Sequence, residues 1–415
     1  MEALVRNEGS KMMGETNLKA CVIMSIFLLG MACTAASART IYVDDDGPAD
    51  FNTIQAAIDD ANDGDTIIVS DGTYTGDGNR DIDFLGKAIT LRSENGPDNC
   101  IINCQGSSSN PHRGFTFHSG EGPNSVLAGL TITNGARFGG GGIHCEYSSP
   151  KITNCVITNN TALLSSGFPG YFAKPGGGIL CSYSSTTISN CIITGNQATG
   201  SGGGISWYKG NPTINNCTIS DNSALIGDGG GIHCIGAIMT VRNSILWGNT
   251  AANGPQISLS GVEGVFCPII TISYSDVQGG EGQIYIYSGP LGCGTVNWGA
   301  GNIDIDPLFA NSSIDYHLKS QAGRWEPSAQ AWVQDTITSP SIDGGNPDSP
   351  IGDEPFPNGG IINMGAYGGT GEASKSYFGR PVCETIVAGD VNGDCIVNYL
   401  DFRLMAAHWL QDESQ

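Results

Sequence analysis

An internal repeat constrains the fold of this chain more than any other feature of the sequence. Four segments begin with Gly-Gly-Ile, and their isoleucines are Ile143, Ile179, Ile205 and Ile232. A cysteine or serine stands twelve residues after each isoleucine, and an asparagine follows soon after it. Two upstream segments, 99–103 and 129–134, fit the same frame. Repeats of about 20–50 residues are typical of stacked units that bury their faces against one another, so we predict a solenoid.

Within each repeat, apolar and polar residues alternate, which indicates β-strands. Ile143 and Cys145 are predicted to point into the core, whereas His144 points outward; His233 occupies the equivalent outward position in a later repeat. The short strands leave no room for intervening helices, so βαβ folds are excluded. We predict an all-β fold, a right-handed parallel β-helix with inward ladders of like residues, and we expect the glycine triplets at its corners.

Two equivalent positions of the repeat hold cysteines. One set is Cys155, Cys191 and Cys217, and the other is Cys145, Cys181 and Cys234, interrupted by Trp207. We interpret them as small, buried, reduced core residues, with disulfide cross-linking as the alternative. A zinc site is not indicated, because the repeats contain no Cys-x-x-Cys pair. On this interpretation Cys191→Ser should destabilise the fold by about 1–3 kcal/mol through an unsatisfied hydroxyl.

Residues 1–38 have the pattern of a secretory signal peptide. Lys11 and Lys19 precede an apolar run from Ala20 to Cys33, and Ala36-Ser37-Ala38 forms a small-x-small cleavage site. The run is shorter than the roughly 18–20 residues that a transmembrane helix needs. We therefore predict export, with cleavage after Ala38, and a secreted or cell-surface protein without a membrane span; lipidation at Cys33 is the alternative.

The net charge of the chain excludes two classes of binding partner, nucleic acids and anionic membranes. The chain has 40 Asp and Glu against 18 Lys and Arg, a formal net charge of −22. Nucleic-acid binding requires clustered basic residues that release counterions from phosphates, and anionic membranes attract basic segments, so both classes of partner are excluded.

The N-terminal part of the mature chain is predicted to cap the coil stack. A short helix is expected with Ile54, Ala57, Ile58 and Ala61 on one face, Asn52 as its N-cap and a stop at residues 62–64. The pattern DFxTIQxAIxxAxxGDTIxVxxGxY resembles the opening of pectate-lyase-type and pectin-methylesterase-type β-helix proteins. The GGI…NCxIxxN repeats resemble right-handed β-helix repeat proteins, including the polymorphic outer-membrane type.

Residues 245–376 continue the pattern more loosely. Segments such as NIDIDPLFAN and INMGAYGGT resemble the C-terminal part of secreted β-helix proteins of the choice-of-anchor type. We expect the last coils here, followed by a cap that covers an exposed strand edge, so that 39–376 forms one β-helix domain with caps at both ends. The acidic residues Asp304, Asp306 and Asp343 are interpreted as structural.

No catalytic constellation is visible, and the catalytic residues are unknown. Elimination or hydrolysis of acidic glycans needs paired carboxylates and basic residues on one strand face, but the basic residues of the repeats are scattered. They are Arg92, Arg113, Arg137, Lys151, Lys174, Lys209 and Arg242. Asp44–Asp46 and Asp59-Asp60 are interpreted as solvated surface, and Gln334-Asp335-Thr336 as a chance match to a pectin-methylesterase triplet.

The sharpest motif lies in residues 381–415. Oxygen ligands stand at the spacing of an EF-hand calcium loop, and a helix is predicted from about Tyr399 to Leu410, with Phe402, Met405 and Trp409 along one face. The predicted Ca²⁺ ligands are Asp390, Asn392, Asp394, Ile396 through its carbonyl, Asn398 and Asp401. Cys395 replaces the usual glycine of the loop, and a disulfide from Cys383 to Cys395 is an accompanying hypothesis.

The segment GDVNGDCIVNYLDFRLMAAHWL resembles a dockerin type I repeat, although a single loop is present where cohesin-binding dockerins have two. The resemblance implies a small α-helical Ca²⁺-binding module and a cohesin-like or cell-surface protein as partner. The sequence thus favours an exported, non-catalytic scaffold or adhesin that associates with polysaccharide and is attached through this module. A polysaccharide lyase or glycoside hydrolase is the alternative; no cofactor besides Ca²⁺ is predicted.

Overall fold

The structure is a computed structural model that describes residues 37–163, 175–289, 292–312, 314–379, 389, 391 and 397–409. The predicted signal peptide lies outside the described residues except for its last two positions. The hypothetical Cys383–Cys395 disulfide lies outside them as well.

Parallel strands of successive coils form three long sheets and one short one. Sheet 1 contains Thr40–Val43, Thr66–Val69, Thr90–Ser93, Val126–Ala128, Lys151–Thr153, Thr187–Ser189, Thr213–Asn215, Ile238–Arg242, Ile269–Ser273 and Thr295–Trp298. Sheet 2 contains Gly72–Tyr74, Cys100–Asn103, Thr131–Thr133, Val156–Thr158, Ile192–Thr194, Thr218–Ser220, Ile245–Trp247 and Asp276–Val277. Sheet 3 contains Ile82–Asp83, Phe115–Phe117, Ile143–Glu146, Ile179–Ser182, Ile205–Tyr208, Ile232–Ile235, Ile257–Ser260 and Tyr285–Ile286. Sheet 4 contains Ala136–Phe138, Thr161–Leu163, Gln197–Ala198 and Ser223–Ala224.

The register of the sheets confirms the predicted parallel β-solenoid. Sheet 1 has ten strands and sheets 2 and 3 have eight each, so eight successive coils contribute one strand to every long sheet. Equivalent residues of the repeats pair directly, as Ile143 does with Ile179 and Cys145 with Cys181. The inward side chains form one continuous apolar core along the stack, in which Trp207 fills the gap in the second cysteine set. Its indole N–H donates to the carbonyl of Ser184 at 2.9 Å, so the largest core side chain has no unpaired polar atom.

The glycine triplets lie at the corner before sheet 3, as predicted. Gly176 and its equivalents have positive φ, here +77°. At the next position, Gly177, a Cβ atom would lie 2.2 Å from the carbonyl oxygen of Gly203 in the following coil. A side chain at that position would therefore force the coils apart, which explains the repeated glycine.

The asparagines of the repeat form a buried ladder between sheets 2 and 4. The side chain of Asn196 accepts the backbone N–H of Asn160 and donates to Asn222, at 3.1 and 3.0 Å. In the next coil, the backbone N–H and the side-chain amide of Asn222 both donate to the side-chain oxygen of Asn249. These bonds satisfy backbone groups at a corner where the sheets no longer do so.

The first cysteine set forms a ladder of the predicted kind, and all six repeat cysteines are buried and free. The backbone N–H of Cys155 donates to the sulfur of Cys191 at 3.4 Å. Ser244 continues the ladder, accepting from the N–H of Cys217 at 3.1 Å and donating to the carbonyl of Arg242 at 2.7 Å. A hydroxyl at this position of the repeat can therefore both accept and donate a hydrogen bond. The destabilisation predicted for Cys191→Ser assumed an unsatisfied hydroxyl, and the contacts of Ser244 argue against that assumption. A disulfide, Cys267–Cys293, joins two cysteines outside both sets.

Helix α1 (Ile54–Asp60) packs against the first coil with the predicted face: Ile54, Ala57 and Ile58 are inaccessible to solvent. The N-cap residue is Thr53, and the predicted cap Asn52 is one position too early. Thr53 makes no side-chain capping bond; instead the Asn79 side chain accepts the N–H of Ile54 at 3.0 Å. A tertiary contact thus replaces the local cap that the sequence pattern suggested.

Residues 309–376, called the C-terminal lobe, lie against the outer face of sheet 2. The lobe contains two hairpins, Phe309–Asn311 with Asp315–Leu318 and Arg324–Glu326 with Ala331–Val333. The C-terminal segment was predicted to cap a strand edge, but it covers the outer face of sheet 2 instead. Ile192 and Ile245 point outward from that sheet and need an apolar cover, which the lobe supplies through residues such as Met364. Further bonds join Ala366 to Thr218 and Gly365 to the carbonyl of Asn243.

The remaining elements are a 3₁₀ turn (Glu281–Gln283) and helix α2 (Tyr399–Trp409), close to the predicted bounds. Phe402 and Met405 on α2 are 60% and 42% exposed. No helix among the described residues is long and apolar enough to cross a membrane.

Candidate functional site

A groove of about 940 Å³ lies between the sheet 2 face of the β-helix and the C-terminal lobe. The β-helix side consists of turns between sheets 1 and 2, including Asp98, Asn154 and Asn190. The lobe side includes Trp325 on the second hairpin and Glu372 near the end of the lobe. Asparagine, aromatic and carboxylate side chains therefore face a common space.

The turns on the β-helix side are set by the repeat. Asn154 and Asn190 adopt the left-handed conformation, with φ of +53° and +51°, which asparagine tolerates better than most residues. The amide of Asn190 donates to the carbonyls of Ala366 and Gly368 at 3.0 and 2.8 Å. The turn thus holds one wall of the groove in place.

A buried histidine supports the lobe side. His317 is inaccessible to solvent, and its Nδ1 lies 2.6 Å from a carboxylate oxygen of Asp315. Its Nε2 lies 3.5 Å from the Glu372 carboxylate, and its ring stacks on Tyr367 at 3.6 Å between centroids. Burial opposes protonation, but the bonds and charges of Asp315 and Glu372 outweigh it and raise the pKa of His317.

The carboxylates of the groove influence one another. The pKa of Asp98 is raised, first by partial burial and then by the charges of Glu372 and Asp315, against the opposing influence of His317. Asp353 adds a third carboxylate to the lining, and none of the described residues that line the groove is Lys, Arg or His. The groove is therefore acidic.

Two further buried carboxyl groups stabilise the lobe, Asp276 at its contact with the body and Glu354 within the lobe itself. Asp276, on the last strand of sheet 2, accepts the hydroxyl of Ser341 at 2.8 Å, and burial raises its pKa to about 7. Glu354 accepts the N–H groups of Asn363 and Gly369 with one oxygen, while its other oxygen is buried without a partner. Burial raises the pKa of Glu354 to about 7 as well.

The acidic residues interpreted as structural do make structural contacts. Asp304 and Asp306 accept backbone N–H groups of Gly279 and Leu308, and Asp343 accepts the hydroxyl of Ser376. Asp335, within the triplet interpreted as a chance match, accepts the N–H of Ser320 and bonds the Arg324 guanidinium. The carboxylates of Asp44, Asp45 and Asp46 lie within 4.8 Å of one another at the surface.

Of the six predicted calcium ligands, only Asn398 and Asp401 fall within the described residues; Asp390, Asn392, Asp394 and Ile396 lie outside them. Asn398 precedes α2, and its N–H donates to Asp401 at 2.8 Å, the reciprocal bond of a capping box. The other oxygen of Asp401 accepts the N–H of Val391, also at 2.8 Å. The Asp401 carboxylate thus joins Val391 to the start of α2.

The groove residues were missed at the sequence level. The segments containing Asp98 and His317 carry no catalytic signature, and they are more than 200 residues apart in the chain. Only the return of the lobe over sheet 2 brings them together, and the repeat pattern contains no signal for that return.

The coil architecture is shared with known proteins. Residues 51–210 and 101–290 match the model of the family described as right handed beta helix region, which together is more than half of the chain. The chain has no match among curated proteins.

Three solved structures are similar in architecture. A pectin methylesterase from carrot is 13% identical, with 68% of this chain and 86% of that chain covered and a TM-score of 0.41. The pectate lyase Pel9A is 16% identical, with 80% and 97% covered and a TM-score of 0.41. A rice weevil pectin methyl esterase is 12% identical, with 67% and 93% covered and a TM-score of 0.34. At these identities and TM-scores, no substrate or activity is transferred to this chain.

Proposed function

The chain belongs to the right-handed β-helix family. We propose that it is an exported protein that binds a neutral polysaccharide along the side of the β-helix, at the face formed by sheet 2. Solenoids present extended surfaces that suit long, repetitive ligands. The observation that carries the proposal is the groove between sheet 2 and the C-terminal lobe, which presents both aromatic and polar side chains.

The lining suits sugar rings. An indole such as Trp325 offers a flat apolar face, on which the C–H side of a pyranose can stack. Asn154 and the groove carboxylates offer acceptors, and amide groups also donors, for the hydroxyls around the ring.

The charge of the groove selects against acidic glycans. Asp98, Asp353 and Glu372 line it, and no described lining residue is Lys, Arg or His. The buried His317 lies behind Glu372 and offsets part of the charge of one of the three carboxylates, in a protein with a net charge of −22. A uronate polymer would place its carboxylates against these groups, and like charges brought together cost binding energy. The proposed ligand is therefore a neutral polysaccharide.

The test is binding of the full chain to neutral glucans, mannans, galactans and xylans by affinity electrophoresis, with polygalacturonate as the acidic comparison. Trp325→Ala should weaken binding of the preferred neutral glycan by about five- to tenfold, as expected for loss of an aromatic contact of about 1–1.5 kcal/mol. Trp332→Phe is the matched control, because Trp332 contacts Trp325 but does not line the groove. Binding of polygalacturonate alone would contradict the proposal.

Hydrolysis of the bound glycan is a second candidate, and the raised pKa of Asp98 beside Glu372 is the observation that favours it. Glycoside hydrolysis uses two carboxyl groups, of which one stays protonated to act as the acid. Asp98→Asn and Glu372→Gln should then abolish release of reducing ends while the glycan still binds. Asp353→Asn, also in the groove, is the control; release that persists in the first two variants would exclude this candidate.

We further propose that residues 381–415 bind one Ca²⁺ ion and serve as the attachment module. The ligands would be Asp390, Asn392, Asp394, Ile396 through its carbonyl, Asn398 and Asp401, a set of hard oxygen donors that suits Ca²⁺. Bound Ca²⁺ would neutralise the clustered carboxylates of the loop. A cohesin-like or cell-surface protein is the proposed partner, and the exposed Phe402 and Met405 of α2 support a role in contact.

A further inference from the structure

A second charged cluster lies on the β-helix, among residues of three consecutive coils. Asp81 stands at its centre, with His112 Nδ1 at 2.6 Å from one carboxylate oxygen and Arg137 Nη1 at 2.7 Å from the other. The backbone N–H of Arg113 also donates to Asp81, at 3.1 Å. These four residues are called the Arg113 cluster.

The guanidinium of Arg113 is the anomaly of this cluster. Arg113 is only 6% exposed, and its Nε and Nη1 are buried without a hydrogen-bond partner. A buried charge is normally paired, because its desolvation is otherwise uncompensated. Among the described residues, Asp81 is the carboxylate that acts on Arg113, and it is already engaged by His112 and Arg137.

The electrostatics of the cluster favour binding of an anion. Burial lowers the pKa of Arg113 to about 10, and the nearby charge of Arg137 acts in the same direction. Burial works against ionisation of Asp81, but the His112 bond, the Arg113 N–H and the Arg137 charge together hold the pKa of Asp81 below its usual value. Two guanidinium groups therefore lie near one ionised carboxylate, which bonds the guanidinium of Arg137 and only the backbone N–H of Arg113.

We infer that the Arg113 cluster is a binding site for a compact oxyanion, a carboxylate or a sulfate group. The fork of N–H donors on arginine matches the paired oxygens of such groups. Arg137 is 41% exposed and forms the solvent side of the cluster. Movement of this side chain would admit the anion, which then receives donors from Arg113 and Arg137. The inference does not depend on the groove, which contains none of these residues.

The experiment is calorimetric titration of the full chain at constant ionic strength with sodium sulfate, with galacturonate and with galactose. The first probe represents a free oxyanion, the second a glycan-borne carboxylate and the third the neutral sugar. Saturable binding of sulfate alone assigns the site to a free oxyanion. At least tenfold tighter binding of galacturonate assigns it to an acidic sugar. Binding of neither anion, or of galactose as tightly as galacturonate, overturns the inference.

Arg113→Met tests the key residue, because it removes the charge and keeps an unbranched side chain. We expect it to weaken anion binding by about tenfold or more, the equivalent of one charge-assisted bond of about 1.4 kcal/mol. Without anion its melting temperature should equal or exceed that of the parent, since an unpaired buried charge is removed. Arg242→Gln, at an exposed arginine of sheet 1, is the matched control.

A melting temperature of Arg113→Met well below that of the parent, or unchanged anion affinity, would show that the guanidinium serves the fold alone. Should this variant fail to fold, Arg137→Gln at the exposed side of the cluster carries the same test. Parent-like anion affinity in Arg137→Gln would then overturn the inference.

Discussion

The β-helix body and the C-terminal lobe are held together by different means. In the body, 40–298, equivalent residues of successive coils stack in register, and one apolar core runs along the stack. The lobe rests on a small apolar cluster and on single polar contacts such as Tyr316 with Asp221. Repetition thus specifies the body redundantly, whereas each lobe contact occurs once.

This difference has a consequence for stability and function. Loss of one ladder contact leaves similar contacts above and below it, but loss of a core side chain opens a cavity that the rigid stack cannot close. The lobe depends on two buried carboxyl groups, Asp276 at its contact with the body and Glu354 within it, so both its attachment and its own stability respond to pH. Because the lobe forms one wall of the groove, the shape of the groove should depend on pH as well.

The largest expected effect of a single substitution comes from Trp207 in the body. Trp207→Ala should lower the free energy of unfolding by about 3–5 kcal/mol, because the variant leaves a large cavity in the core. Urea denaturation followed by circular dichroism measures it. Trp332→Ala, at a partly exposed position of the lobe, is the comparison and should cost far less. Equal losses in the two variants would contradict the proposed difference between body and lobe.

The attachment of the lobe should weaken as pH rises. Below about pH 4 the carboxyl groups of Asp276 and Glu354 are protonated in both folded and unfolded chains, so they add no pH dependence. In the folded chain their pKa values are near 7, whereas unfolded carboxyls ionise near 4. Between these values the folded state binds more protons, so its stability declines as pH rises and reaches its lower level above about pH 7.

The expected loss between pH 4 and pH 8 is on the order of 3 kcal/mol for each of the two carboxyl groups. The chain has six tryptophans, so the lobe is followed by the difference in fluorescence between the parent and a Trp325→Phe, Trp332→Phe double variant during denaturation. Asp276→Asn should reduce the pH dependence, because it resembles the protonated form. Glu263→Gln, at an exposed loop position of the body, should leave it unchanged. A lobe that becomes more stable at pH 8 than at pH 5 would refute this assignment.

The cysteine ladder predicts a smaller and more selective effect. Cys191→Ser should be nearly neutral, because Ser244 satisfies the same bonds two coils further along. Cys191→Ala should cost about 1–3 kcal/mol, since the N–H of Cys155 loses its acceptor. Denaturation of the two variants in parallel distinguishes these outcomes. A serine variant as unstable as the alanine variant would show that sulfur packing, and not the bond, stabilises the ladder.

The body was largely predictable from the sequence, because one rule applies to every coil. The alternation around Ile143 and the glycine spacing give the strand positions, the inward ladders and the corners. The cap of α1 was misplaced by one residue, because Asn79, distant in sequence, supplies the bond. The burial of His233 also escaped prediction: its side chain points away from the cysteines but is 1% exposed, and burial lowers its pKa to about 4.

The lobe and the groove were not predictable in the same way. Their contacts, such as Asn190 with Gly368, join residues separated by 178 positions and occur once. Contacts that occur only once leave no periodic signal in the sequence. The alternation of apolar and polar residues within the lobe does not show which sheet of the body it packs against. The sequence therefore predicts the β-helix body well, whereas the groove depends on which face of the body the non-repetitive lobe packs against.

The smallest expected effect concerns calcium, and it tests whether the terminal module behaves separately from the body. Calorimetric titration of the full chain should reveal one Ca²⁺ ion bound, with little change in the melting temperature of the β-helix. Asp390→Ala should abolish this binding, because it removes the first ligand of the proposed loop. Asp44→Ala is the decisive control, since Asp44, Asp45 and Asp46 form the set of clustered carboxylates that could hold an ion within the described part of the chain. If Asp44→Ala abolishes binding while Asp390→Ala does not, calcium belongs to the first coil, and the module has no metal-dependent role in attachment.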